Sequence, residues 1–449
     1  MKKLLLLMLV LMGGVTTASA TDLYVCVDNL SWWDGHVRIS AWGGTGTTAD
    51  VDFTSGQKIS KFGKNWYVYE ITNSNTTAQV RYWYDENNEH KQGTAYSKTF
   101  ALSSSEDKYV VVYSTQDSGD NDNYYTGSYT TPSFRDNGEA GWDNISANMT
   151  VVDNNTLSYT MSKSYVDAIS GDDIWFRVFN FGKQINPIAD GLHVSIGSNV
   201  TRAYNSENAG WAFGITKPTY DYDNIVITVQ YDNTIDCSDP QGCEPWRISA
   251  DAYISKTITA ANQYATLGCS VPLEIVEANG VTAHPLTADA STGKITKGDA
   301  ITVIPANEGA LLENATGSDK TIRAKVLASA SASALNQLVA FTGSGKLTQP
   351  GGNTTYYILT KKSDKVGFYK VNTTSGNSMG ANTAYLVVSG TSARDFFVLD
   401  GETTGIANLN VNDNANFNAD APMYNLAGQR VGKNYKGVVI VNGKKMLNK

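Results

Sequence analysis

The chain is poor in charge, histidine and cysteine, and beyond its first residues it has no long apolar run. Only 17% of its 449 residues are charged, with a formal net charge of −8. A nucleic-acid surface needs a basic patch to displace counterions, so no nucleic-acid partner is expected. No later segment approaches the ~18 uninterrupted apolar residues of a spanning helix, so no membrane span is expected. The four histidines, His36, His90, His193 and His284, form no H-E-x-x-H pair. A G-x-S-x-G elbow is absent, and no P-loop or G-x-G-x-x-G fingerprint follows a strand. Acid pairs exist at Asp172-Asp173 and Asp221/Asp223. Glycosidase carboxylates come from distant chain positions, however, and Asp172-Asp173 follows Gly171 and reads as a turn. A non-catalytic protein without cofactor or metal is therefore expected. Helical periodicity is also scarce. Past the leader, only VLASASASALNQLV (326–339) allows a short helix, or simply a loop.

The four cysteines are Cys26, Cys237, Cys243 and Cys269. Cys237 and Cys243 lie in DCSDPQGCEPW, a tight Pro/Gly loop. In an exported chain a local disulfide is the expected state, because no histidine is near enough to complete a zinc site. Whether Cys26 and Cys269 pair stays open.

Aromatic and small polar residues are plentiful: 25 Tyr, 9 Trp and 40 Gly, with much Asn, Thr and Ser. The leader MKKLLLLMLVLMGGVTTASA has Lys2 and Lys3 ahead of an apolar core at 4–12, then Ala18-Ser19-Ala20 as a cleavage site. Cleavage near Ala20 leaves Thr21 first, where a lipid anchor would need cysteine. Residues 1–20 therefore read as a signal peptide, and the mature chain as secreted or surface-exposed without lipid. Strand signals dominate the rest: VRISAW (37–42), WYVYEI (66–71), YVVVYS (109–114), IVITVQY (225–231), TYYIL (355–359) and VGFYKV (366–371). The expected fold is all-β: several tandem β-sandwich domains and a short C-terminal β-hairpin tail. Turn-residue clusters at QDSGDNDN (116–123), NTIDCSDPQGCEP (233–245) and NLNVNDNANFNADAP (408–422) divide it into units 21–115, 116–240, 241–403 and 404–449. The first cluster is acidic but lacks the D-x-D-x-D-G order of a calcium loop, so it reads as a solvated linker.

Two strands share an odd composition. In VRYWYDE, alternation sets Arg81, Trp83 and Asp85 on one face, and Val80, Tyr82 and Tyr84 on the other. In IWFRVFNF, Trp175, Arg177, Phe179 and Phe181 fall together, opposite Phe176, Val178 and Asn180. Trp42 likewise shares its face with Arg38. An aromatic placed among polar residues is expected to meet solvent or ligand. Such a surface suits sugars: the C–H face of a pyranose stacks on a flat ring, which loses little side-chain freedom.

SWWDGHVRISAWGG (31–44), GKNWYVYEI (63–71) and VRYWYDENNEHKQ (80–92) together resemble starch-binding carbohydrate-binding modules of the short β-sandwich type. Trp42 matches the strand-end tryptophan of that pattern, whereas Ser40 stands where the modules often carry a stacking tyrosine. The resemblance implies a polysaccharide partner, an α-glucan. Trp32, Trp33, Trp42 and Trp83 would stack, with Arg81 as a hydroxyl partner and Asn87, Lys91 and Gln92 as further ones by loop position. GWDNISANMT (141–150), WFRVFNFGKQINPIADG (175–191) and AGWAFGI (209–215) resemble sandwich modules in surface proteins of Gram-negative glycan-degrading bacteria, implying a glycan role for Trp142 and Trp211. IPANEGALLE (304–313) and ANTAYLVV (381–388) resemble a further module of such proteins, read as a spacer. MYNLAGQRVGKNYKGVVIVNGKKMLNK (423–449) resembles type IX secretion sorting tails, with Asn442-Gly443 as a hairpin turn and the secretion machinery as implied partner. The resemblances together imply the outer surface of a Gram-negative bacterium. The competing expectation is a structural adhesin or scaffold whose sandwiches serve protein contacts.

Overall fold

The structure, a computed structural model, describes residues 21–28, 36–42, 51–52, 58–71, 77–86, 89–96, 100–101, 107–113, 127–138, 145–187, 189–202, 210–235, 245–333, 335–343, 345–362, 365–390, 394–399, 422–425, 428–432, 434–441 and 444–448. Among these the chain is nearly all strand, arranged in many separate sheets. All six strand signals form strands, the longest of them Thr354–Lys362. Their β-branched and aromatic residues fill a pleated surface, and Gly, Asn and Asp interrupt it at the ends. The described residues of 327–337, all but 334, form no helix; they lie between Lys320–Val326 and Leu338–Ala340 outside regular structure. The helix that does form, Lys163–Ala168, is capped by the Ser162 hydroxyl, which accepts from the Tyr165 N–H. At six residues it is too short for sequence periodicity to betray it.

The first unit pairs two five-stranded sheets. In one, Thr21–Asp28 runs antiparallel to Lys64–Ile71 and parallel to Lys108–Tyr113. This sheet also takes in Gly127–Tyr129, beyond the limit expected at residue 115. A similar continuity crosses the limit expected at residue 240. Asn224–Tyr231 and Trp246–Ile258 are adjacent strands of one eight-stranded sheet. Clusters of turn residues mark where the chain reverses, and a sheet can resume after the reversal.

One core cluster runs from Tyr24 to Val326. It includes the joint between the first two units. The Lys58–Lys61/Lys64–Ile71 turn carries Phe62 and Gly63, both at positive φ (52° and 68°). A Cβ on Gly63 would stand 2.5 Å from the Tyr231 ring, so only glycine fits there. Phe62 N–H donates to Asn154 O (3.1 Å), and the Asn180 amide donates to Phe62 O (3.0 Å). Trp66 is fully buried, its indole N–H donating to Lys61 O (2.8 Å).

A second core cluster, around Tyr357, Phe368, Leu386 and Phe397, fills the later sheets. The strand Gly309–Asn314 lies between the two: Ala310 and Leu312 face the first core and Leu311 the second. The tail forms a four-stranded sheet around Met423 and Val439, a little more than the expected hairpin. Its Gly437–Val441 and Lys444–Asn448 strands are antiparallel, and Asn442 and Gly443 lie outside the described residues.

Candidate functional site

The sequence-derived site falls mostly where little is described. Trp32, Trp33, Asn87, Trp142 and the disulfide pair Cys237 and Cys243 lie outside the described residues. At Trp42, Arg81, Trp83, Lys91 and Gln92 only the backbone is described. Its register is informative. His36 pairs with Trp83, Arg38 with Arg81 and Trp42 with Thr77, so Trp42, Arg81 and Trp83 hold positions on one face of a sheet. Gln92 pairs with Trp83 and joins that face. Lys91 pairs with Tyr84 and takes the other face. Both are in the strand Glu89–Tyr96 and not in a loop, a correction to their expected setting. Cys26 and Cys269 are both buried, in the same core cluster.

The second unit supplies a surface with its side chains in view. Its six-stranded sheet places Asp173–Asn180 between Ser133–Asp136 and Phe213–Thr216, with Leu192–His193 beyond the latter and Lys183–Ile185 folded back on the central strand. On the inner face, Phe134, Ile174, Phe176, Val178, Phe213 and Ile215 enter the core. Asp136 ends that face, fully buried; both carboxylate oxygens accept from the Tyr165 hydroxyl (3.0 and 2.9 Å), and one accepts from the Gly138 N–H (2.8 Å). Burial and then the bond to Asp136 push the Tyr165 phenol well above its ordinary range.

The outer face carries Trp175, Arg177 and Phe179, as alternation predicts. Phe181 leaves the set. It sits in the following turn at φ 52° and packs against Phe62, Trp66 and Tyr109 in the joint. A left-handed turn residue ends the alternation, and nothing in a run of aromatics announces one. A second difference is burial: Arg177 and Phe179 are each 1% exposed. Segments 189–191 and 210–212 lie over this face. Gly210 N–H donates to Pro187 O, Gly191 N–H to Ala212 O, and Trp211 N–H to Asp190 Oδ1 (3.0 Å). The Gln184 side chain holds Trp211 O (2.9 Å).

The result is a ladder of flat groups. The Arg177 guanidinium lies 5.0 Å from the Trp211 ring, and Arg135, directly across the strand pair from Arg177, lies 4.4 Å from the Phe179 ring. Like charges facing each other across strands repel. Each guanidinium here meets an aromatic face, an attraction of ~0.5–2 kcal/mol that offsets part of that repulsion. Trp175 is half-buried. Its indole lies against Gly214, the residue paired with it, where a Cβ would come within 2.6 Å of the ring. His193, one strand further out, meets Trp175 edge-on at 4.9 Å. Above this ladder Trp211 is 55% exposed, while Trp66 and Trp246 are buried. Asp190 is exposed beside it, and His193 is exposed at the Trp175 end of the ladder.

Trp211 was reached through resemblance, but Trp175, Asp190, Gln184 and His193 were not singled out as binding groups. The register of Gly214 with Trp175 is a long-range fact that the AGWAFGI segment does not reveal. Chemically, the surface offers an exposed indole stiffened from below by a cation, with hydrogen-bonding groups at its edge. Among the described residues no three His, Cys, Asp or Glu side chains converge to hold a metal ion. No helix among them is long and apolar enough to cross a membrane. Compared with protein-family models, curated proteins and solved structures, the chain finds no match.

Proposed function

We propose that this is an exported, non-catalytic protein that binds an α-glucan or related glycan at the outer surface of a Gram-negative cell. The observation that carries the reading is Trp211: an indole 55% exposed, seated 5.0 Å from a buried guanidinium and backed by the Gln184 and Asp190 hydrogen bonds. An aromatic ring held rigid at the surface gains the burial energy of a stacked sugar with little entropy to lose. Asp190 beside it, and His193 at the Trp175 end of the ladder, serve as hydroxyl partners in this reading. The first unit supplies a further platform, supported by the register that sets Trp42, Arg81, Trp83 and Gln92 at same-face positions. Trp32, Trp33 and Asn87 belong to the same proposed surface, whereas Lys91, at an opposite-face position, would meet a ligand only at the sheet's edge. The tail at 423–449 would serve as the sorting address.

Affinity electrophoresis of the mature chain through amylopectin tests this. Retarded migration, reduced in Trp211→Ala and in Trp83→Ala, is the expected result; unretarded migration across several glucans sinks the reading. The scaffold alternative rests on the later five-stranded sheet, where Phe396 is 49% exposed and stacks on Tyr369 at 5.7 Å, with Tyr356 and Tyr385 at 4.7 Å on the same face. It expects no retardation by any glucan.

A further inference from the structure

A cleft of about 730 Å³ opens where the first two units meet. Its walls come from both: Lys61, Asp107 and Tyr109 on one side, Thr131, Pro132 and Asp153 on the other. That volume lies within the range of ordinary small-molecule sites. The cleft is preformed, because the joint beside it is fixed. Phe62 bonds Asn154 and Asn180 across the units, and Phe181 wedges among Phe62, Trp66 and Tyr109. Lys61 is fixed as well. Its ammonium stands 3.8 Å above the Tyr24 ring and 3.2 Å from the Tyr109 hydroxyl, with the residue only 7% exposed.

The lining mixes lysines with carboxylates and threonine hydroxyls, beside apolar Pro132 and Met149. Opposite charges in similar number give no strong preference for an ion. Alternating donors and acceptors against an apolar wall suit a neutral polyhydroxylated ligand. The cleft also adjoins the ladder of flat groups. The Thr131 hydroxyl donates to Asn148 Oδ1 (3.2 Å), Asn148 pairs with Ser133, and Ser133 pairs with Phe179 on the outer face.

We infer that the cleft is a second subsite for the same glycan chain, so that a ligand long enough to leave the Trp211 surface ends between the units. This rests on the glycan reading of Trp211. Short ligands reach one subsite; long ones span both, and the second contact acts at high effective concentration.

Titration calorimetry of the full mature chain with maltoheptaose and maltotriose tests the inference, using Thr131→Arg, Asp107→Ala and Trp211→Ala. Thr131 and Asp107 are exposed, so neither change disturbs a core; a matching melting temperature checks this, and each variant stands in if the other fails to fold. The expected result is about a tenfold loss of maltoheptaose affinity in both cleft variants, with maltotriose affinity changed less than about twofold. Trp211→Ala weakens both ligands. If the cleft variants bind maltoheptaose like the parent while Trp211→Ala does not, the second subsite is overturned and the Trp211 reading stands. If Trp211→Ala binds both ligands like the parent, the glycan reading falls and this inference with it.

Discussion

On the inner face of the Asp173–Asn180 strand, Ile174, Phe176 and Val178 are fully buried against Phe134, Phe213 and Ile215. On the outer face of the same strand, Arg177 and Phe179 are as well covered, but by guanidinium and indole planes, with Trp211 left standing in solvent. Equal burial thus hides unequal purpose. The inner face is filled by apolar volume, which dictates stability. The outer face is assembled from planar, cationic and hydrogen-bonding groups, which hold an exposed ring at the surface.

Substitutions separate these roles. The largest loss of stability is expected from Phe176→Ala on the inner face, ~3–5 kcal/mol by urea unfolding. A loss as small as that of an outer-face variant would erase the distinction. Next is Tyr165→Phe, which takes a donor from both oxygens of buried Asp136 and is expected to cost about 2–3 kcal/mol at neutral pH. The same variant carries a pH signature. Folding raises the Tyr165 pKa above the ordinary tyrosine value of 10.0. Its contribution is therefore complete below pH ~10 and is lost as pH climbs through the folded value. Tyr159 and Tyr222 are raised too, mainly by burial, the latter to about 12. Unfolding followed from pH 9 to 12 should show stability falling, with a shallower fall in Tyr165→Phe.

On the outer face, Gly214→Ala drives a methyl to 2.6 Å from the Trp175 ring. A cost of about 1–2 kcal/mol is expected, with a changed near-ultraviolet dichroism as the indole moves. Unchanged dichroism would mean that Trp175 does not depend on that close approach. The smallest stability effect belongs to Trp211→Ala, about 1 kcal/mol for one cation–π pair between a half-exposed indole and buried Arg177, although its effect on glycan retention is expected to be the greatest of the four.

The same comparison shows what the residues reveal in order. Strands such as IVITVQY and TYYIL are legible because β-branched and aromatic residues between polar breaks have few other conformations to adopt. The outer-face trio Trp175, Arg177 and Phe179 is legible through alternation alone. The cover over that trio is not, because segments 189–191 and 210–212 arrive from later in the chain through backbone hydrogen bonds. Phe181 misleads for a local reason, a positive φ that alternation cannot anticipate. Sheet continuity past residue 240 is set by pairing of Asn224–Tyr231 with Trp246–Ile258, which loop composition between them does not forbid.

The most direct test of the ligand-facing role proposed for Trp211 is hydroxyl-radical footprinting of the mature chain with and without maltoheptaose. Trp211 and Phe396 begin at similar exposure, 55% and 49%. The account predicts that the sugar shields Trp211 from oxidation and leaves Phe396 as reactive as before; oxidation of Trp211 at the same rate in both samples would contradict it.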